Sequence, residues 1–173
     1  MAVGVKVLQF VGYSNSGKTT YLNDVITFLS SKGIKVATVK HHGHGSELLA
    51  LDEGKDSWKH RQAGAIASAV SAAGSLQVQV NQGEPWSLQN IVEIYDSFSI
   101  DCILVEGFKR EAYDKVVIVR NKEDITLLQE LLNIKAVIVW DKDANLDLDV
   151  PIFKLEEKEL FYTWLLDYLG RES

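Results

Sequence analysis

Residues 12–19 read Gly-Tyr-Ser-Asn-Ser-Gly-Lys-Thr, between a largely apolar run, Val5 to Val11, and a segment of helical periodicity. A strand that passes through a glycine turn straight into a helix confines the chain to the α/β class, with helices laid over a sheet. The octet also fits Gly-x-x-x-x-Gly-Lys-[Ser/Thr] at every defined position. Glycine at both ends lets the backbone turn tightly enough for successive N–H groups to point at phosphate oxygens. Lys18 would then reach the outer phosphates, and the Thr19 hydroxyl would complete a Mg²⁺ shell. The bland alternative is a glycine-containing helix-entry turn with a surface lysine. The strand before it and the helix after it favour a nucleoside triphosphate site.

The rest of the chain alternates strand and helix, without linker or repeat. The helix after the octet runs to about Ser31, with apolar residues at 22, 25, 26 and 29, and Gly33 as its C-terminal cap. Ile34 to Val39 reads as a second strand ending in Lys40-His41-His42-Gly43-His44, and an irregular stretch (45–54) leads to a helix around 55–62. Ile66 to Ala72 and Leu76 to Val80 flank Ala73-Gly74-Ser75 and predict an antiparallel hairpin. Set on an otherwise parallel sheet, it would offer an edge strand to a second subunit. A helix over 87–98, strands at 102–105 and 116–119, and a helix near 125–132 follow. Strands at 136–140 and 151–153 and a closing helix over 156–169 complete the pattern. The expected fold is a three-layer P-loop NTPase arrangement: a mostly parallel sheet, helices on both faces and an inserted β-hairpin at about 65–82. One domain is expected to span 1–173. Ligand should bind beyond the carboxyl ends of the strands, where the loops at 12–20, 40–57 and 106–110 gather.

Net charge is −6 and no basic run stands out, so nucleic acid is not an expected partner. Nothing resembles a cleaved leader, and no apolar stretch is long enough to span a bilayer, so no membrane is expected and the cytoplasm is the expected location. Cys102 is the only cysteine and opens an apolar run, which predicts a buried, inert thiol.

Mg²⁺ needs a second anchor besides Thr19, usually an acid at the end of an adjacent apolar strand. Asp101 and Glu106 flank Cys102-Ile103-Leu104-Val105, some 16 Å apart at ~3.3 Å per residue. Phosphates lie at carboxyl ends, which selects Glu106 and leaves Asp101 to orient the strand start. Gly107 is expected to leave a free N–H for the γ-phosphate. In 40–57, Asp52 is placed near the Mg²⁺ shell and Lys55 near an anionic ligand. Asp56 or Ser57 could instead cap the next helix, and His41 with His44 could form a metal pair or face phosphate or solvent. Asn121-Lys122-Glu123-Asp124 matches the guanine-reading pattern Asn-Lys-x-Asp. Against it stands the short connection, residues 107–115, before the following strand, since a parallel crossover usually takes a dozen or more residues. Helix N-capping explains the same letters.

In order, the phosphate loop Gly12–Thr20, the Lys40-His41-His42-x-His44 cluster, Gly54-Lys55-Asp56-Ser57 with Ala63-Gly64-Ala65, and Val105-Glu106-Gly107-Phe108-Lys109 resemble MobB, the molybdopterin-guanine dinucleotide biosynthesis adaptor family. The resemblance covers about the first 120 residues. It implies a homodimeric GTP-binding protein with weak GTP hydrolysis. Such a protein assists attachment of GMP to molybdopterin beside a MobA-like nucleotidyltransferase. Carried onto this chain, Gly12, Asn15, Ser16, Gly17, Lys18, Thr19 and Thr20 would hold the nucleotide and metal, and Glu106 would take the Walker B role. The reading of the residues themselves adds Ser14 and Lys55 to the GTP contacts and Asp52 to those of the metal. On both together, Thr19, Glu106 and Asp52 would hold Mg²⁺, and Lys18 and Glu106 would carry the hydrolysis. Where the family commonly has additional aspartates after the histidines, this chain reads Gly45-Ser46-Glu47-Leu48-Leu49-Ala50-Leu51-Asp52-Glu53.

Two other functions fit the same scaffold. A small-molecule kinase would need an acceptor pocket and a base, for which Asp56 or a histidine could serve. No arginine-rich lid is legible, and Arg61 and Arg110 are the arginines expected near the site, which weakens that reading. A non-catalytic module with a structural nucleotide is the other.

Overall fold

The computed structural model describes residues 5–42, 48–141 and 146–171. They form two compact units, one of residues 1–43 with 88–173 and one of 44–87. The larger is built on β1 (Lys6–Val11), β2 (Val36–Lys40), β5 (Cys102–Glu106), β6 (Asp114–Val119), β7 (Ile134–Val139) and β8 (Ile152–Lys154). All pair in parallel, in the order β2-β5-β1-β6-β7-β8. A parallel strand covered on both faces has no solvent side, which is why β1 and β5 read as almost unbroken apolar runs.

Both faces are covered. Leu8, Phe10, Leu104, Ile118 and Ile138 pack with residues of α1 (Lys18–Ser31) and α5 (Lys158–Leu169). Phe161 of α5 is fully buried in an aromatic group with Phe10, Tyr21, Phe153, Tyr162 and Trp164. On the other face Val7, Ile103 and Val105 meet α3 (Leu88–Tyr95), and Val11, Val117 and Val137 meet α4 (Thr126–Glu130). These helices on both faces of the sheet make the expected three layers. Gly33, at φ +76, closes α1 as expected, with the Gly33 and Ile34 amides returning to the Ser30 and Leu29 carbonyls.

Register explains how so short a segment joins β5 to β6. The two strands lie on either side of β1. Glu106 ends β5 level with Phe10, whereas Asp114 begins β6 level with Leu8. The chain therefore drops only two residues while stepping over one strand, and the usual crossover length does not apply. The same offset carries the end of β6 beyond β1, where residues after Val119 reach the phosphate loop.

Asp101 orients the start of β5: its carboxylate accepts from the Lys35 amide at 2.8 Å and pairs with Arg171. Both groups hold it below the ordinary carboxylate range, the Lys35 amide most strongly. Cys102 is 1% exposed and burial pushes its thiol up to about 11, so it is the inert cysteine expected. No helix among the described residues is long and apolar enough to cross a membrane.

The smaller unit holds α2 (Asp56–Gln62), β3 (Ala67–Ala72) and β4 (Ser75–Val80). The hairpin forms through Ala73 and Gly74, both at positive φ, as a tight two-residue turn requires. It is not an edge of the parallel sheet. β3 and β4 pair with each other as a separate two-stranded sheet, from Ala67↔Val80 to Ala72↔Ser75.

Candidate functional site

The loop between β1 and α1 is shaped by two residues in the left-handed region, Asn15 at φ +61 and Gly17 at φ +79. Such alternation turns successive amides toward one concavity. Among the described hydrogen bonds, one amide of residues 13–19 is taken, Ser16 N–H to the Tyr13 carbonyl at 3.3 Å. Both glycines are sterically required. A Cβ on Gly12 would stand 2.6 Å from Ser16 Oγ and 2.8 Å from the Ile118 carbonyl oxygen. One on Gly17 would stand 2.7 Å from the indole of Trp140.

Lys18 folds back over the loop, donating to the Tyr13 carbonyl at 2.6 Å and Ser16 Oγ at 3.4 Å. Burial lowers its pKa below the ordinary lysine value; Glu106 opposes that shift, and Lys109 and Lys40 add to it. An anion in the loop would relieve this cationic crowding. Although the chain is acidic overall, the loop is surrounded by Lys18, Lys40, Lys109 and Arg120.

Thr19 and Glu106 come together as the sequence predicts. Thr19 Oγ1 donates to both Glu106 carboxylate oxygens, at 2.9 and 3.0 Å. A hydroxyl and a carboxylate are the hard oxygen donors that suit Mg²⁺, so this pair fits that ion. Thr19, Thr20, Ser14 and Asn15 are exposed, while Ser16 is 1% exposed beneath the loop. The expected role of Gly107 does not hold: its N–H donates to the Phe10 carbonyl at 3.1 Å, continuing the β1–β5 ladder.

Four contributors were missed in the sequence. Lys40 pairs with Glu106 at 3.2 Å, since β2 and β5 place them side by side. Arg120, which the sequence reading did not single out, is an arginine at the loop. It donates to the Asn15 carbonyl at 2.9 Å and stacks on Trp140 at 5.2 Å. Trp140 in turn donates from its indole N–H to the Ser16 carbonyl at 3.2 Å. Gln9, fully buried in β1, donates to the Gly107 and Phe108 carbonyls at 3.0 and 2.7 Å, pinning two positive-φ residues directly after Glu106. These partners lie from 66 (Lys40 to Glu106) to 124 (Trp140 to Ser16) residues from the groups they hold, beyond the reach of local pattern. The one legible signal was a polar Gln inside an apolar run.

The residues predicted from 40–57 divide. Lys40 and His41 belong to the larger unit, where the His41 amide continues the ladder to the Glu106 carbonyl and its ring lies tilted against Phe108, centroids 4.5 Å apart. His44 and Glu47 lie outside the described residues. Asp52 belongs to the smaller unit. Its carboxylate is held by Arg61 at 2.6 and 2.9 Å and by the Ser57 hydroxyl. Arg61 and Ser57 hold the Asp52 carboxyl well below the usual range. Lys55 is exposed at the N-cap of α2. Neither Asp56 nor Ser57 makes the expected cap bond: Asp56 pairs with Lys59 at 3.1 Å and Ser57 serves Asp52.

Asn121 and Asp124 follow the capping reading. The Asn121 side chain accepts from the Asp124 amide at 3.1 Å at the start of a 3₁₀ turn, Lys122–Ile125. Asp124 is buried and accepts from the Arg120 amide at 2.8 Å. The motif thus fixes the backbone that aims Arg120 at the loop.

An all-parallel sheet, a glycine loop at the first strand–helix junction and a Thr–Glu pair beside it define an α/β protein of the P-loop NTPase-like class. Residues 7–140 match the family model described as Molybdopterin guanine dinucleotide synthesis protein B, and the chain belongs to this MobB family. It is 40% identical over 152 residues to a probable molybdopterin-guanine dinucleotide biosynthesis adapter protein of Bacillus subtilis, covering 87% of this chain and 86% of that one. The Escherichia coli adapter protein is 30% identical over 171 residues, covering 98% and 96%. Among solved structures, Bacillus subtilis MobB superposes with a TM-score of 0.79 at 36% identity, covering 94% and 96% of the chains. A MobB homolog from Bacillus stearothermophilus superposes at 0.75 and 35%, covering 95% and 97%.

Proposed function

We propose that this chain is a GTP-binding adaptor with slow GTP hydrolysis that assists the conversion of molybdopterin to its guanine dinucleotide. The observation that carries the nucleotide site is the concave loop itself. Its amides are largely unengaged, and Lys18 and the Thr19–Glu106 pair stand at its rim. Gly12 to Thr20 would hold the phosphates, and Lys18 would exchange the Tyr13 carbonyl for phosphate oxygen. Thr19 and Glu106 would hold Mg²⁺, which would neutralise charge on the outer phosphates. Asp52, the other acid read as a metal ligand, is paired with Arg61 within the smaller unit. Lys55, exposed on the smaller unit, would be free to meet an anion.

Slow turnover follows from how the arginine is used. Arg120 is tied to the Asn15 carbonyl and to Trp140 rather than left to stabilise a departing phosphate. The partner reading, a nucleotidyltransferase that uses the bound nucleotide, rests on the adapter names of the relatives. A homodimer is supported by the smaller unit. Among its described residues only Asp52 is buried, while Leu48, Leu49, Leu51, Ile66, Leu76 and Val78 are all more than half exposed. A two-stranded hairpin is marginal alone in water, and a second copy would cover that surface.

Titration calorimetry with GTP and with ATP, each with Mg²⁺, tests the reading on the unaltered protein and Lys18→Ala. GTP binding that is preferred over ATP and lost in the variant supports it. Equal affinity in the variant refutes the site. Phosphate transferred to a small metabolite would favour a kinase instead.

A further inference from the structure

Lys40 Nζ lies 3.2 Å from Glu106 Oε1 and 3.4 Å from Thr19 Oγ1, so it touches the same two groups that would hold the metal. Its place is set by register, because Lys40 is the β2 partner of Glu106 across the strand ends. The backbones cannot part easily, since the His41 amide is bonded to the Glu106 carbonyl at 2.9 Å. The side chains differ in freedom: Glu106 is 12% exposed and Lys40 59%. A carboxylate so enclosed needs a cation beside it. An exposed lysine on a flexible stem can leave for water with little loss.

We infer that Lys40 is the built-in counter-ion of the metal site, seated on Glu106 while no divalent ion is bound and displaced when one enters. This rests on the nucleotide reading above. A divalent ion taking up the same carboxylate would stand only a few ångströms from the ammonium, a like-charge contact that the exposed lysine relieves by leaving for water. Lys40 therefore competes with the metal. It also masks the Glu106 charge that would repel the triphosphate in the metal-free state. The two effects have opposite signs. Removing the ammonium should tighten metal binding and weaken metal-free nucleotide binding.

The test compares the full chain with Lys40→Met, and with Lys40→Gln as a second neutral variant. Mn²⁺ affinity of the GTP-saturated protein is read by electron paramagnetic resonance, and GTP affinity in excess EDTA by calorimetry. Both variants should bind Mn²⁺ about fivefold more tightly, the scale of one partly exposed ion pair, and metal-free GTP more weakly. Lys40→Arg, which keeps the charge, should stay near the unaltered protein. Mn²⁺ affinity that is unchanged or weakened in both neutral variants would overturn the assignment. Failure of the unaltered protein to bind GTP with Mg²⁺ would remove the nucleotide reading itself, a result distinguishable because it appears before any variant is made.

Discussion

Replacing Gly17 with alanine should damage the loop through two separable causes. The first is conformational: Gly17 sits at φ +79, and an L-residue held there costs about 1–2 kcal/mol. The second is steric: the new Cβ would lie 2.7 Å from Trp140 Cζ2, whereas carbon atoms rest about 3.5–4.0 Å apart. Trp140 cannot retreat freely, because its indole N–H holds the Ser16 carbonyl and Arg120 lies over its ring. Overpacking of this kind costs about 1–3 kcal/mol. Alanine recovers part of this, roughly 0.4–1 kcal/mol, by restricting the unfolded chain. Gly17→Ala should therefore destabilise by about 2–4 kcal/mol in the presence of Trp140. In a Trp140→Ala background only the conformational part remains, near 1 kcal/mol. Urea unfolding of the four proteins of this cycle measures the difference as a coupling energy. An identical cost of Gly17→Ala in both backgrounds would show that Trp140 does not wall the loop, and the steric reasoning would fail.

Other consequences follow from the same geometry. Glu106→Gln should lower Mg²⁺-dependent GTP hydrolysis about tenfold or more while leaving nucleotide affinity within a few-fold, and unaltered turnover would remove Glu106 from the chemistry. Val78→Lys, on the hairpin face that also carries Leu76, Val80 and Ala69, should shift the protein toward monomer in sedimentation velocity; an unshifted dimer would count against the hairpin as the contact. Because burial raises the Cys102 thiol from 9.0 to about 11, the folded state holds that proton more tightly than the unfolded one. The resulting stability is fully present below pH 9 and lost as pH rises toward 11, so Cys102→Ala should unfold less steeply over that window. Equal slopes in the two proteins would contradict the burial of the thiol.

The layout was legible wherever one local pattern decided it. The apolar runs of β1 and β5 could only be covered strands, and Leu76, Val78 and Val80 alternate as a hairpin strand must. Where tertiary partners decide, the letters mislead. β6 begins at Asp114 and Lys115, charged residues that read as loop, yet Lys115 is 1% exposed with its ammonium on the Glu111 and Tyr113 carbonyls. The Thr19–Glu106 pair could be inferred because both ends carry recognisable chemistry. Lys40, Arg120, Trp140 and Gln9 could not, because their roles arise from strand register and from partners remote in the chain. At Asn121 and Asp124 the letters fit two readings, base recognition and capping, and the cap bond is the one visible in the fold.

Amide NMR of the ¹⁵N-labelled protein, titrated with a non-hydrolysable GTP analogue and Mg²⁺, puts the phosphate loop to the most direct test. Resonances of residues 13–19 should move most, Gly17 and Lys18 foremost, as phosphate oxygens take up their N–H groups. A spectrum in which those resonances stay still, whether others shift or none do, would contradict the loop as the seat of the nucleotide.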